Sequence, residues 1–201
     1  MERFYCLVIG YIFGSFLTAE LVAKLVSGKY AEDIGESGNP GMANIMANLG
    51  FGYGVIVLIG DVLKTFMAYL ICRNIFSDLG YLAAYYTVLG VTIGHDYPFW
   101  HLRKGGKGVA TTCAGIFFCM PFWGMLSMLV GAISVLVTQY LCIGAIVIPA
   151  VFLIVVMMFH LNEAIVVVLL LLVFSIIRNG AGILRIRQGK EKKTVLFKGK
   201  Q

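Results

Sequence analysis

The sequence predicts an all-α integral membrane protein, a bundle of about seven transmembrane helices with its N-terminus outside and its C-terminus in the cytoplasm. Three observations carry this expectation. Of 201 residues, 60% are hydrophobic and only 13% are charged, against about 45–50% apolar and about 25% charged in a soluble domain. The apolar residues fall in long runs, close to the ~20 residues that a spanning helix needs. The basic residues gather at the ends of those runs. No short apolar stretch with a small-residue cleavage site follows Arg3, so the first run is expected to be a span and not a cleaved leader.

The spans follow in order. Phe4–Leu25, Phe51–Ile75 and Leu79–Trp100 are continuous apolar runs. Val109 to Leu141 is too long for one crossing, and Pro121 divides it into Val109–Met120 and Phe122–Leu141. Ile143–Phe159 and Glu163–Ile177 complete the set, with His160 to Asn162 as their turn. All are expected to be helices, because lipid offers backbone N–H and C=O groups no partner.

Charge orients the bundle. With the N-terminus outside, Lys24, Lys29, Arg103, Lys104, Lys107 and the basic residues from Arg178 to Lys200 all fall inside. Of the 16 basic residues, only Arg3 and Arg73 fall outside, and Lys64 lies within a span. An even number of spans would part the tail from the other basic loops, so parity selects seven; five stays open if two spans are re-entrant. Trp100 and Trp123 fall where interfacial aromatics belong. Residues 1–178 are read as one membrane domain and 179–201 as a basic cytoplasmic tail. Ile183, Leu184 and Ile186 make that tail weakly amphipathic. It is either a flexible topogenic tail or a segment lying on the anionic inner leaflet. The net charge of +6 is explained by this distribution, and no nucleic-acid partner is expected. Five scattered cysteines without a CxxC pair read as small hydrophobes.

Three segments exceed what a simple bundle needs. Gly35-Glu36-Ser37-Gly38-Asn39-Pro40-Gly41-Met42-Ala43-Asn44 follows the first span. Its glycines and proline forbid a regular helix and let backbone N–H groups converge on an anion. Ser37, Asn39 and Asn44 add neutral donors. A plain interhelical loop has a similar composition. The second segment runs from Gly94 to Thr111 and contains Lys104-Gly105-Gly106-Lys107-Gly108 just before an apolar span. Glycines at a helix start admit a phosphate to free N–H groups and to the positive end of the dipole. Lys104 and Lys107 supply full charges, although the Walker A spacing is absent. A topogenic basic loop is the bland alternative. His95, beside Asp96, is either a structural hydrogen-bonder or a base. The third segment is the charged pair Asp61 and Lys64 within the second span. A lone charge there costs about 2.5–3.5 kcal/mol on insertion scales, and i, i+3 spacing lets the two pair. Either they lock helices together or they shape a site. Glu20 and Lys24, at i, i+4, pose the same question nearer the interface. No set of histidines, cysteines and carboxylates has metal-ligand spacing.

Together these residues resemble the bacterial acyl-phosphate-dependent glycerol-3-phosphate acyltransferase family, over nearly the whole chain. The likeness runs from Gly14-Ser15 through Ser37-Gly38-Asn39-Pro40-Gly41, Asn44 and Asp61-x-x-Lys64. It is most specific at Gly94-His95-x-Tyr97-Pro98 and Lys104-Gly105-Gly106-Lys107-Gly108-Val109-Ala110-Thr111. It ends at Arg185-x-x-x-Gly189-x-Glu191. The resemblance implies a seven-helix enzyme of the bacterial cell membrane with its active site facing the cytoplasm. It implies transfer of a fatty acyl group from acyl phosphate to glycerol 3-phosphate, giving lysophosphatidate in the first step of phospholipid synthesis. Its partners would be those two substrates and membrane lipids, and no cofactor or metal is implied. The implied roles are catalytic for Ser37, Asn39, His95 and Lys104. Phosphate binding would fall to Gly38, Gly41, Asn44, Gly105, Gly106, Lys107, Gly108, Thr111 and Arg185. Asp61 and Lys64 would form a structural ion pair.

The sequence departs from the family at a few places. The family's tail usually carries His and Asn three apart where this chain has Asn179 and Gly182. Its usual Arg-Tyr-x-Ser-x-x-Ser loop reads here from Gln139 to Ala145, with Cys142 and Ala145 in place of both serines. Ala43 replaces a threonine, and Glu32, Asp33 and Glu36 stand where a basic residue is usual. These departures define the alternative of a catalytically weak or inactive paralogue that binds lipid or acyl phosphate. A small transporter of an organic phosphate is a further alternative, although no pair of repeat-related broken helices supports it.

Overall fold

The computed structural model describes residues 1–35, 38–101, 105–159 and 162–194. All regular secondary structure among them is helical. Among the described residues, five stretches are long and apolar enough to cross a membrane: Glu2–Ser27, Phe51–Ile75, Pro121–Thr138, Leu141–Phe159 and Glu163–Arg187. The chain divides into two compact units, Met1–Cys119 and Met120–Gln201.

The first unit differs from the expected pattern at its first span. The expected continuous helix Phe4–Leu25 is broken into α1 (Glu2–Gly14) and α2 (Thr18–Ser27). Leu17 is extended, at φ −95° and ψ 102°. Breaking a helix inside a membrane strands its carbonyls, and each needs a donor. Here the donors come from elsewhere in the chain. Lys64 Nζ donates to the carbonyls of Gly14 (3.3 Å) and Phe16 (2.9 Å), and Trp100 Nε1 donates to that of Ser15 (2.8 Å).

Gly28, at φ +70°, closes α2 with a left-handed cap. A 3₁₀ turn at Ala31–Asp33 and the short helix α3 (Met42–Leu49) then lead to α4 (Phe51–Ile75). Glu20 and Lys24 do not serve as the partners their spacing suggested. The Glu20 carboxylate accepts from the Ala31 N–H at 2.9 Å, and Lys24 lies 4.1 Å from the centre of the Tyr30 ring. Both fasten the turn after α2.

Helix α5 is Leu82–Asp96, shorter at both ends than the expected Leu79–Trp100. Gly80, at φ +56°, stops it on one side. On the other, Pro98 disfavours the helical region for Tyr97, which sits at φ −138° and ψ 67°. The remaining helix is about 22 Å long, short of a ~30 Å hydrocarbon core.

α1 and α5 run in the same direction with their backbones nearly touching. Gly10 and Gly14 on α1 face Gly90 and Gly94 on α5. A Cβ added at Gly10 would lie 2.3 Å from the Thr87 carbonyl oxygen, and one at Gly14 2.1 Å from that of Val91. One at Gly90 would lie 2.3 Å from the Leu7 oxygen, and one at Gly94 2.2 Å from the Tyr11 oxygen. Two GxxxG motifs therefore interlock, as close helix packing in lipid requires. The short helix α6 (Val109–Cys119) completes the unit, with Phe118 stacked on Tyr69 at 5.4 Å.

The second unit holds α7 (Pro121–Thr138), α8 (Leu141–Phe159) and α9 (Asn162–Arg187). Pro121 divides the long apolar run as expected, because a proline costs nothing at the first helical position. Pro149 within α8 cannot bond the Ala145 carbonyl. Ser175 Oγ of α9 donates to that oxygen at 2.8 Å instead. α9 continues past the expected end at Ile177, so the boundary drawn at residue 178 falls inside a helix. Nothing between Arg178 and Arg187 is a strong breaker, and the chain turns only at Gly189, at φ +68°.

Candidate active site

The site in the first unit is built on the break between α1 and α2. Asp61 and Lys64 sit one turn apart on α4, both buried, at 1% and 6% exposure. Their carboxylate and ammonium are 2.8 Å apart. Lys64 Nζ is also 2.8 Å from Nδ1 of His95, and that nitrogen is 3.7 Å from Asp61 Oδ1. One ammonium thus ties α4 to the end of α5 and to the exposed carbonyls of the break. A carboxylate alone in this interior would be costly; the ammonium 2.8 Å away offsets its charge.

The glycine-rich turn folds over the end of α5. The Gly106 N–H donates to the His95 carbonyl at 2.9 Å. A Cβ at Gly105 would meet the Asp96 carbonyl oxygen at 2.2 Å, and one at Gly106 would meet His95 Nε2 at 1.9 Å. Gly108 has φ +65°, and a Cβ there would lie 2.9 Å from an Asp96 carboxylate oxygen. The three glycines are thus required by close approach to His95 and Asp96, both buried. Thr111, also buried, donates from its hydroxyl to the Gly108 carbonyl at 3.0 Å. That bond holds the turn against the first residues of α6. Lys107 is half-buried in the turn.

The first loop is anchored through different contacts. Asn44 Nδ2 donates to the carbonyls of Ile34 (2.9 Å) and Ala31 (3.3 Å), and Asn48 donates to Asn44 Oδ1 at 3.1 Å. Both amide protons of Asn44 are therefore directed into the fold. Replacing Asn44 with alanine leaves the two carbonyls short of a donor. The expected cost is about 1–3 kcal/mol, read as a lowered melting temperature; an unchanged melting temperature would refute this anchoring role. Gly38, at φ +53°, packs against the Glu32 carbonyl, and the Asn39 side chain lies against Gly41. Ser37 and Lys104 lie outside the described residues, as do Glu36 and Arg103.

Arg185 belongs to the second unit. It pairs with Glu191, which the left-handed Gly189 brings back toward it. This explains the spacing Arg185-x-x-x-Gly189-x-Glu191. In the same unit Gly182 faces Cys142: a Cβ there would lie 3.0 Å from the Cys142 sulfur. Two of the family departures are thus neighbours in space. Among the described residues, no three His, Cys, Asp or Glu side chains are grouped to hold a metal ion.

Sequence reasoning missed two links that hold this site. Tyr11 donates from its hydroxyl to the Tyr97 carbonyl at 2.9 Å, and Trp100 reaches the Ser15 carbonyl. Neither has a local signal, since each partner is 85 or 86 residues away. The GxxxG pairs did have one, at Gly10, Gly14, Gly90 and Gly94.

Known proteins share both the sequence pattern and the fold of this chain. A profile described as glycerol-3-phosphate acyltransferase matches residues 4–189. Glycerol-3-phosphate acyltransferase 1 of Lactobacillus johnsonii is 41% identical over 143 residues, 71% of this chain and 68% of that one. Glycerol-3-phosphate acyltransferase of Clostridioides difficile is 34% identical over 193 residues, 92% of each. The crystal structure of PlsY (YgiH), an integral membrane glycerol 3-phosphate acyltransferase, in its glycerol 3-phosphate form, superposes with a TM-score of 0.84. It is 28% identical, with 98% of this chain and 100% of that one covered. Its lysophosphatidic acid form gives a TM-score of 0.82 at 27% identity, with 97% of each chain covered.

Proposed function

The chain belongs to the glycerol-3-phosphate acyltransferase family, and from that premise we propose that its acyl donor is acyl phosphate and that the turn Gly105–Gly108 receives substrate phosphate. It is an integral membrane acyltransferase of phospholipid synthesis. The hydroxyl oxygen at carbon 1 of glycerol 3-phosphate attacks the acyl carbonyl, the bond to phosphate breaks, the hydroxyl proton passes to the departing phosphate, and lysophosphatidate and inorganic phosphate leave. Acyl phosphate is already activated, so no covalent enzyme intermediate is needed. Positioning and electrostatic stabilisation supply the rate. The observation that carries this reading is the glycine-rich turn seated on His95 and Asp96 at the start of α6. The turn leads directly into the N-terminus of α6, whose free N–H groups and dipole favour an anion.

Lys104 and Lys107 supply the charge that this turn needs, and Ser37 and Asn39 are further ligands in the same proposal; Arg185 is proposed as a phosphate ligand within its own unit. The proposal includes a seven-span topology in a bacterial cell membrane, with the N-terminus outside and Lys29, Lys107 and Arg185 on the cytoplasmic side by the positive-inside rule. An apolar groove of about 220 Å³ between α1 and α5, lined by Phe4, Leu7, Val8, Tyr11, Gly90 and Ile93, supports a bed for the acyl chain.

Purified protein given acyl phosphate and labelled glycerol 3-phosphate should release labelled lysophosphatidate. A folded protein that makes none, beside a working control enzyme, would refute the proposal. Failure to replace a missing acyltransferase in a bacterial strain would favour the non-catalytic reading instead. Lys107→Ala or Lys104→Ala should lower kcat/KM by about tenfold or more, since a charge-assisted hydrogen bond contributes roughly 1.5–3 kcal/mol. Full activity in both variants would remove phosphate binding from this turn.

A further inference from the structure

We propose that Lys64, held by Asp61, is a positioning residue of the transfer reaction: its ammonium occupies Nδ1 of His95, so that the imidazole presents a fixed Nε2–H donor to the Gly105–Gly106 turn. The inference rests on the acyl-transfer reading above.

The geometry of Lys64 selects the protonation state. An ammonium has three protons and no acceptor. Lys64 Nζ has three short contacts, to Asp61 Oδ1 (2.8 Å), His95 Nδ1 (2.8 Å) and the Phe16 carbonyl (2.9 Å). The fourth, to the Gly14 carbonyl, is longer, at 3.3 Å. A neutral amine accepting from an Nδ1–H of His95 would fit the same distance, but it would leave the buried Asp61 carboxylate, 2.8 Å away, without a counter-charge, which is the costlier state. The ammonium offsets the Asp61 charge and donates to the Phe16 carbonyl, so Nδ1 of His95 is the acceptor of its third short contact. A neutral imidazole with its Nδ1 lone pair engaged carries its proton on Nε2. Nε2 is the atom against Gly106. His95 then has no lone pair free to remove a proton. Its part in the reaction is to donate, at the turn assigned to phosphate, and Lys64 acts only through it.

The arrangement also says what happens without the lysine. Asp61 Oδ1 is already 3.7 Å from His95 Nδ1. Remove the ammonium, and the carboxylate attracts a proton onto Nδ1. His95 then becomes an Nδ1–H tautomer or an imidazolium. The donor is no longer fixed on Nε2 alone.

Nitrogen-15 NMR of histidine-labelled protein reads this directly. The chain has three histidines, and His95→Gln identifies the relevant signals. The full-length wild type should show a protonated Nε2 and an unprotonated, hydrogen-bonded Nδ1 at His95. Lys64→Met should move a proton onto Nδ1. A wild-type Nδ1–H at His95 would overturn the proposal without any variant having to fold. The double variant Asp61→Asn with Lys64→Met separates positioning from a purely structural ion pair. Both charges are gone, so the stability cost of an unpaired charge is removed. Folded double variant should still transfer acyl groups about tenfold or more slowly in kcat, with KM for glycerol 3-phosphate changed less than about threefold. Activity within about twofold of wild type would make the pair structural only and sink the inference. Should wild-type protein show no acyl transfer at all, the functional reading fails, while the NMR result still reports whether Lys64 sets the tautomer.

Discussion

Gly106→Ala is expected to lower kcat/KM for acyl transfer by about a hundredfold or more, a loss typical of displacing a reacting group by about 1 Å. The added methyl would lie 1.9 Å from His95 Nε2, well inside van der Waals contact, so either the ring or the turn must move. The ring cannot turn away cheaply, because Nδ1 is held by Lys64 and the residue is buried. The turn cannot lift without giving up the Gly106 N–H bond to the His95 carbonyl. The helices themselves do not depend on this contact, so the circular dichroism spectrum should be unchanged. Gly180→Ala is the matched control, since a Cβ there meets nothing within 4 Å. In a helix that change should be neutral or stabilise by up to about 1 kcal/mol. Kinetics of Gly106→Ala equal to those of the control would show that the close approach to His95 plays no part in catalysis.

Gly14→Ala should be the most destabilising of the small substitutions, at about 3 kcal/mol, the upper part of the usual range for overpacking. Its methyl would lie 2.1 Å from the Val91 carbonyl oxygen and 2.9 Å from the Val91 Cα. Both are backbone atoms and have no rotamer to yield. The two helices must separate along the line where Gly10, Gly14, Gly90 and Gly94 interlock. Separation also shifts the Gly14 carbonyl from Lys64 and the break from Trp100, so activity should fall with stability. Thermal unfolding in detergent gives the measurement. A midpoint within about a degree of wild type would show that the helix contact is looser than these distances require.

Much of this architecture was legible in the chain, for reasons that are local. A spanning helix is announced by summed hydropathy over its own residues, so Phe51–Ile75 and the division at Pro121 could be placed without knowing what packs around them. The i, i+3 spacing of Asp61 and Lys64 put both charges on one helix face, and the two are paired. The glycines at 105, 106 and 108 marked a turn with unusual steric needs. Their reason was not legible, because it lies in the imidazole and carboxylate of His95 and Asp96 beneath them. The purpose of Asn44 was equally hidden: a loop asparagine looks like a ligand donor, and here its amide protons go to the carbonyls of Ala31 and Ile34.

By itself, then, the amino-acid sequence determined the membrane class, the positions of most spans and the residues with chemistry to offer. Tertiary structure decided the break after Gly14, the lengths of α5 and α9, and which atoms Lys64 touches. The difference is physical. Burial in lipid and glycine's freedom are properties of a short stretch of chain, whereas a polar atom in a dry interior takes whatever partner packing brings to it. Lys64 finds its partners 31, 48 and 50 residues away, and no pattern along the chain encodes such distances.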